Sequence, residues 1–257
     1  MADQIIVSLE KKIKTITLNN PTRKNAVTKT MVERIGEAVS ESEQDGTHVV
    51  ILTGSEGNFC SGADLMGSEE VKADVTTYLK ESVNPTILAM QNTHVPIIAK
   101  ISGTCVGLGF NLALACDMLI ASEDARFSQI FTNIGLSSDG GGGFFLPNRI
   151  GYYKAFELMS LATVFSAEEA LYLRLLNRVC TQQILDKTVL EIAERLAAGP
   201  LMAIKHTKAN LRQGISGTLE DTLTLEAENQ GKNFQTQDFV EGVAAFLQKR
   251  KPQFKGK

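Results

Sequence analysis

The spacing of hydrophobic and polar positions changes several times along the chain. Residues 5–18 alternate in two short β-branched runs, IIVSL and IKTITL, parted by the charged Glu10-Lys11-Lys12, which is the pattern of a hairpin. After Pro21, Thr28 can cap a helix in which Val32, Ile35 and Val39 recur at helical spacing, and VVILTG at 49–54 reads as a buried strand. Strand, helix and strand in succession predict an α/β core. A second, more polar helix is predicted from about Val71 to Gln91, leading through His94-Val95-Pro96 into a strand at 97–101, a glycine-rich turn and another apolar segment. The unit recurs loosely, without a strict sequence period. Beyond about Ser166 strand signals nearly vanish, and helical patterns start near Ala167, Ile184, Pro200, Leu219 and Phe239. No Pro/Ser-rich linker separates the two regions, so the expectation is an α/β core over residues 1–200 carrying a helical module over 201–257.

Composition narrows the possible partners. The 257 residues are 43% hydrophobic and 21% charged, with 26 Lys and Arg against 29 Asp and Glu. That balance lacks the basic excess of a nucleic-acid binder. The N-terminus shows no apolar run behind a basic stretch, so neither a secretory signal nor a transit peptide is read there. The longest apolar stretch, roughly Ala113 to Ala121, is broken by Asp117 and falls short of the roughly 20 residues that span a bilayer. Cys60, Cys105, Cys116 and Cys180 are widely spaced and form no CxxC pair, which fits free thiols in a reducing cytoplasm. The last stretch, Lys249 to Lys257, carries five positive charges and no acid. It is either a solvated basic tail or a contact for an anionic ligand.

Three glycine-rich places can do chemistry: residues 59–65 (FCSGADL), residues 103–109 (GTCVGLG) and residues 138–143 (SDGGGG). Glycine lets backbone amides approach a ligand. If two such loops face each other, one N–H from each can converge on a carbonyl oxygen and form an oxyanion hole, where one donor is worth ~10²–10³ in rate. The second loop opens the apolar run Phe110 to Ala115, whose dipole, if helical, favours the same anion. Each loop alone also reads as an ordinary tight turn. A dinucleotide fingerprint fails for want of a third glycine after Gly107 and Gly109, and no Gly-Lys-Ser/Thr is present for a P-loop. His48, His94 and His206 have no i,i+4 partner or adjacent nucleophile, and read as structural or solvated.

Taken together the loops are more specific than any one of them. The stretches LNNPTRKNA at 18–26, FCSGADL at 59–65, residues 103–117, GLSSDGGGG at 135–143 and the ending from Glu241 to Phe254 resemble the crotonase, or enoyl-CoA hydratase/isomerase, superfamily over essentially the whole chain. The resemblance implies a crotonase (ClpP-like) α/β spiral of ββα units with a helical C-terminal trimerisation module, assembled as homotrimers or dimers of trimers. It implies acyl-CoA thioester substrates, with coenzyme A as part of the substrate and no metal or redox cofactor.

Carried over position by position, the resemblance assigns the oxyanion hole to the backbone N–H groups of Ala63 and Leu108. Leu108 stands where relatives often have glycine. The coenzyme A moiety would lie along Arg23, Lys24, Ala63, Asp64 and Leu65, with phosphates near Arg23 or Lys24, although both can equally be surface charges. The segment from Met66 to Val83 would cover the acyl group. The two glutamates with which hydratases handle water are replaced by Asn111 and Phe131, which line the substrate but relay no proton. Asp139 instead occupies the place of the single carboxylate used by enoyl-CoA isomerases and phenylacetyl-CoA ring-epoxide isomerases, the branch that the Asp-Gly-Gly loop and the KRKPQF ending most resemble. Asp139 also fits a plain turn-forming residue before glycines. The expectation is an acyl-CoA isomerase with Asp139 as general acid/base, kept usable by burial against Phe131, Phe144 or Phe145. The alternatives are a hydratase with an atypical pocket and a catalytically silent acyl-CoA binder.

Overall fold

The computed structural model describes residues 4–64 and 73–257. Strands β1 (Ile5–Glu10) and β2 (Ile13–Leu18) pair antiparallel from Ile5 opposite Leu18 to Glu10 opposite Ile13. Two residues, Lys11 and Lys12, connect them, both at positive φ (48° and 69°), the hand of turn that follows strand twist. The helix Lys29–Glu41 begins where Thr28 Oγ1 accepts the Met31 N–H at 3.3 Å and buries Met31, Val32, Ile35 and Val39. Strand β3 (Val49–Gly54) then pairs parallel with β2.

The remaining strands fall into two sheets. Strand β4 (Ile97–Ile101) enters the large sheet and β5 (Thr104–Val106) a small one. The pattern repeats with β6 (Met118–Ser122) and β7 (Arg126–Ser128), after which β8 (Phe165–Ser166) joins the small sheet and β9 (Arg178–Cys180) the large one. The large sheet runs β1-β2-β3-β4-β6-β9, parallel except at the hairpin, and the small one β5-β7-β8. Single bridges Val27–Ala63 and Cys60–Cys105 extend the small layer to the earlier turns. Each turn of the spiral thus gives a strand to the large sheet, a short pairing to the small layer and then a helix: the expected ββα repeat.

The large sheet is covered on both faces, which is why its central strands read as apolar runs rather than alternating ones. Ile13, Val49, Ile51, Ile98 and Ile120 pack under the helix Gln182–Ala197 through Leu185, Val189 and Ala193. The opposite face holds the main core, including the aromatic triangle Phe110, Phe127 and Phe165 with ring centroids 5.3–5.9 Å apart. The helix Leu201–Ser216 is tied to the sheet by buried Lys208, which donates to Val95 O at 2.8 Å and Asp117 Oδ2 at 2.6 Å. The helices Leu219–Asn233 and Gln237–Leu247 follow. The basic tail folds back onto the last of them, where Arg250 pairs with Glu241 and Asp238 accepts the N–H groups of Lys255 and Gly256.

Three sequence expectations are refined. The polar helix predicted from Val71 starts outside the described residues; within them it runs as Val75–Tyr78, a π turn over Leu79–Val83 and Asn84–Asn92. The strand β9 lies in the stretch read as helical. Of the phenylalanines expected around Asp139, Phe131 and Phe145 are buried, whereas Phe144 is 52% exposed and turns outward. Among the described residues no helix is long and apolar enough to cross a membrane.

Candidate active site

The small layer of the spiral brings the first two glycine-rich loops side by side. Cys60 N donates to Thr104 O at 2.8 Å and Val106 N to Cys60 O at 3.0 Å, so the loops hydrogen-bond directly. On the outer side Val27 N donates to Gly62 O and Asp64 N to Val27 O. Gly107 N is spent on Ser128 O at 2.9 Å. These bonds consume the amides flanking Ala63 and Leu108, yet among the described residues neither the Ala63 N–H nor the Leu108 N–H has an acceptor. The two loops touch at this point: a Cβ on Gly62 would stand 3.8 Å from Leu108 N. Gly107 makes the turn at φ 56° and ψ −131°, a conformation a side chain would oppose. The chain then enters the helix Leu108–Leu114, whose first N–H groups are left free by helix geometry. Free N–H groups on adjoining loops can receive one oxygen that gains negative charge.

The third loop closes on the same place. Leu108 packs so tightly on Gly140 that a Cβ there would lie 2.6 Å from Leu108 Cδ1. Next to Gly140, Asp139 holds its Oδ1 buried with no hydrogen-bond partner, the one such side-chain atom among the described residues. Burial pushes the carboxyl up to about 6, against a smaller opposing hydrogen bond from its own backbone. A carboxylate with one buried oxygen unpartnered and a raised pKa, on a loop packed against one that bears a free amide, is suited to take and return a proton near neutral pH.

Asn111 and Phe131 divide in role. Phe131, 8% exposed, places its ring beside Gly107, 3.9 Å from where a Cβ would stand. Asn111, placed by resemblance among the substrate-lining residues, is fully buried. Its Nδ2 donates to Asp139 O at 2.7 Å and Ser138 Oγ at 3.2 Å, while its Oδ1 accepts from Gln129 Nε2 at 2.7 Å. Both ends of the amide are engaged, so Asn111 positions the Asp139 loop. Gln129, which sequence reading passed over, completes the clamp through Ser138 at 3.2 Å. A lone amide in the stretch FSQIF at 127–131 was the available signal. Asn111→Ala leaves the buried Gln129 Nε2 without its acceptor and removes one of the donors to Asp139 O, with an expected loss of about 1–3 kcal/mol in stability. The loosened loop lowers kcat by about tenfold with less change in KM, to be read by denaturant unfolding and steady-state kinetics.

The residues expected along coenzyme A cluster at the outer edge of the first loop. Arg23 pairs with Asp64, and Ser61 ties to the backbone of the same turn through Lys24 O at 3.0 Å and Arg23 O at 2.7 Å. Lys24 is exposed and Arg23 has 49% of its side chain accessible. Beneath them buried Asn25 donates to Ser55 O and Asn58 O and accepts from Asn20 N, fixing the turn to the end of β3. Leu65 and the first part of the segment expected to cover the acyl group, through residue 72, lie outside the described residues. Cysteine chemistry is disfavoured here, since burial lifts the Cys60 thiol to about 12. His48 Nδ1 is bonded to Ala197 O and His206 Nδ1 to Asn233 Oδ1, structural contacts away from these loops.

Comparison with known proteins bears on this geometry. The model of the enoyl-CoA hydratase/isomerase family matches residues 8–257. The chain belongs to that family. It is 32% identical to the 1,2-epoxyphenylacetyl-CoA isomerase of Escherichia coli over 100% of both chains. It is also 32% identical to the crotonyl-CoA hydratase of Syntrophomonas wolfei, over 98% of each. A crystal structure of an enoyl-CoA hydratase from Bacillus anthracis superposes with a TM-score of 0.92 at 30% identity, covering 99% of this chain and 100% of that one. Family members thus share the crotonase spiral and carry both hydratase and isomerase names.

Proposed function

We propose that this member of the family is an acyl-CoA isomerase in which Asp139 moves a proton along a thioester enolate. The observation that carries the reading is the buried, unpartnered Oδ1 of Asp139 on a loop packed against Leu108. The amides of Ala63 and Leu108 receive the thioester oxygen. Asp139 removes a proton from C2 of a 3-enoyl thioester, and the C–H pair flows into the carbonyl to give a dienolate spread over the thioester oxygen, C2 and C4. Return of the same proton to C4 leaves the double bond between C2 and C3, with no change in formula. The oxygen bears charge only during the reaction, so the two amides favour the transition state over the substrate. Coenzyme A enters as part of the substrate, along Arg23, Lys24 and the first loop, and homotrimers, or trimers paired as dimers, complete the assembly.

A second reading, a hydratase of atypical pocket, is favoured by relatives named as hydratases. Addition of water needs a base for the water and an acid for carbon, whereas the positions of the two hydratase glutamates hold a clamped amide and a phenyl ring. The deciding experiment supplies trans-3-enoyl-CoA and trans-2-enoyl-CoA to wild type and Asp139→Asn and identifies products by mass. Mass-neutral conversion of the 3-enoyl substrate that disappears in Asp139→Asn supports the isomerase. A gain of water by the 2-enoyl substrate, untouched by the substitution, overturns it.

A further inference from the structure

Tyr78 ends the helix Val75–Tyr78 and leads into the π turn Leu79–Val83, a rare local geometry. The residue is 7% exposed and packs in the main core. Its hydroxyl end lies within electrostatic reach of Asp139, Glu33 and Cys60. The π turn meets the third loop, with Val83 Cγ1 3.8 Å from where a Cβ on Gly140 would stand. On the same turn Ser82 donates to Glu33 at 2.7 Å, so Glu33 is already partnered. The Tyr78 hydroxyl has no hydrogen bond among the described residues. Burial and the neighbouring carboxylates raise its pKa well beyond the ordinary phenol range, leaving a neutral O–H able to donate and accept.

The reaction as derived leaves this hydroxyl idle. The amides of Ala63 and Leu108 take the thioester oxygen, and Asp139 takes the proton. A plain hydrocarbon chain laid over the phenol would strip its O–H of water and supply no partner, a loss of about 1–3 kcal/mol. An oxygen on the chain would restore that bond, and pockets equipped in this way discriminate strongly against analogues that lack the oxygen. We propose that Tyr78 is a specificity residue that hydrogen-bonds an oxygen carried by the acyl group, so that the preferred substrates are oxygen-bearing acyl-CoA thioesters rather than simple alkenyl ones. The proposal rests on these loops forming the acyl-CoA site, and is independent of Asp139 being the base.

Calorimetric titration of the full chain with hexanoyl-CoA, its 4-, 5- and 6-hydroxy derivatives, phenylacetyl-CoA and 2-hydroxyphenylacetyl-CoA tests it without turnover. In wild type one hydroxyl position is expected to tighten binding at least tenfold over its parent. In Tyr78→Phe that gain falls to twofold or less, while the parent thioester binds both proteins alike and the melting temperature stays within a few degrees. Absence of any hydroxyl whose gain depends on Tyr78, or equal weakening of parent and hydroxylated thioesters by Tyr78→Phe, overturns the proposal and leaves Tyr78 a packing residue. Failure of every thioester to bind wild type would instead overturn the placement of the acyl-CoA site, and this proposal with it.

Discussion

Asp139→Asn is expected to lower turnover of a trans-3-enoyl-CoA by about 10²–10⁴-fold, the range one positioned acid/base supplies. Asparagine keeps the size of the side chain and removes the group that titrates. In wild type, kcat/KM should rise with pH through about 6, where the buried carboxyl ionises, and level off above; in Asp139→Asn the residual rate should lose that inflection. Stability moves the other way. A carboxyl whose folded pKa lies above its unfolded value near 3.9 makes the folded state hold its proton longer. Its contribution is therefore fully present below about pH 4 and is lost as pH climbs through about 6. Asp139→Asn should accordingly be more stable than wild type at pH 7–8, by on the order of 1–3 kcal/mol, with the gap closing below pH 4. Parallel pH profiles of rate and of denaturant midpoint check both signs. A variant that melts like wild type at every pH while remaining active would remove Asp139 from the mechanism.

The second large effect is expected from Gly109→Ala. Its added Cβ would stand 2.5 Å from Cys60 Cβ, 2.6 Å from Cys60 Sγ and 2.8 Å from Cys60 O, closer than packed atoms allow. Part of the obstacle is backbone, so the helix Leu108–Leu114 or the first loop must shift. Either movement pulls one amide out of line with the other, with an expected loss of ~10²–10³ in kcat, the worth of one such donor. Gly231→Ala is the control. Among the described residues no heavy atom beyond its chain neighbours and its own helix backbone lies within 4 Å of its added Cβ, and it sits inside the helix Leu219–Asn233, where alanine should leave activity alone and add up to about 1 kcal/mol of stability. Circular dichroism and kcat on the same preparations separate a displaced amide from a damaged fold.

Legibility in the sequence followed the length of each signal. The hairpin, the Thr28-capped helix and the apolar runs of β3 and β4 are long enough for their period to show. The small layer is built from strands of two or three residues and from single bridges, too short for any alternation. That layer nevertheless brings the Ala63 and Leu108 loops together, so their convergence was conditional until the spiral was in view. Asp139 was legible through family resemblance, but its missing partner was a fact of packing. The bonds of Asn111 to the Asp139 loop and Gln129 were not legible, because an amide gives no hint of which neighbouring loop it ties. Tyr78 was hidden in a stretch that reads as an ordinary polar helix, where no residue pattern announces a π turn.

The hydrogen-bonded ladder joining Cys60, Thr104 and Val106 separates what must be inherited from what can be exchanged. On the proposed mechanism, the half of the site that polarises the thioester is written in main chain and survives any substitution that spares the close approach of the two loops. The half that the same mechanism assigns to proton transfer hangs on one side chain and the amide clamp behind it. An engineer could therefore rewrite position 139 and the clamp, moving the protein between isomerase, binder and other enolate chemistries, without rebuilding the part that makes an acyl thioester acidic.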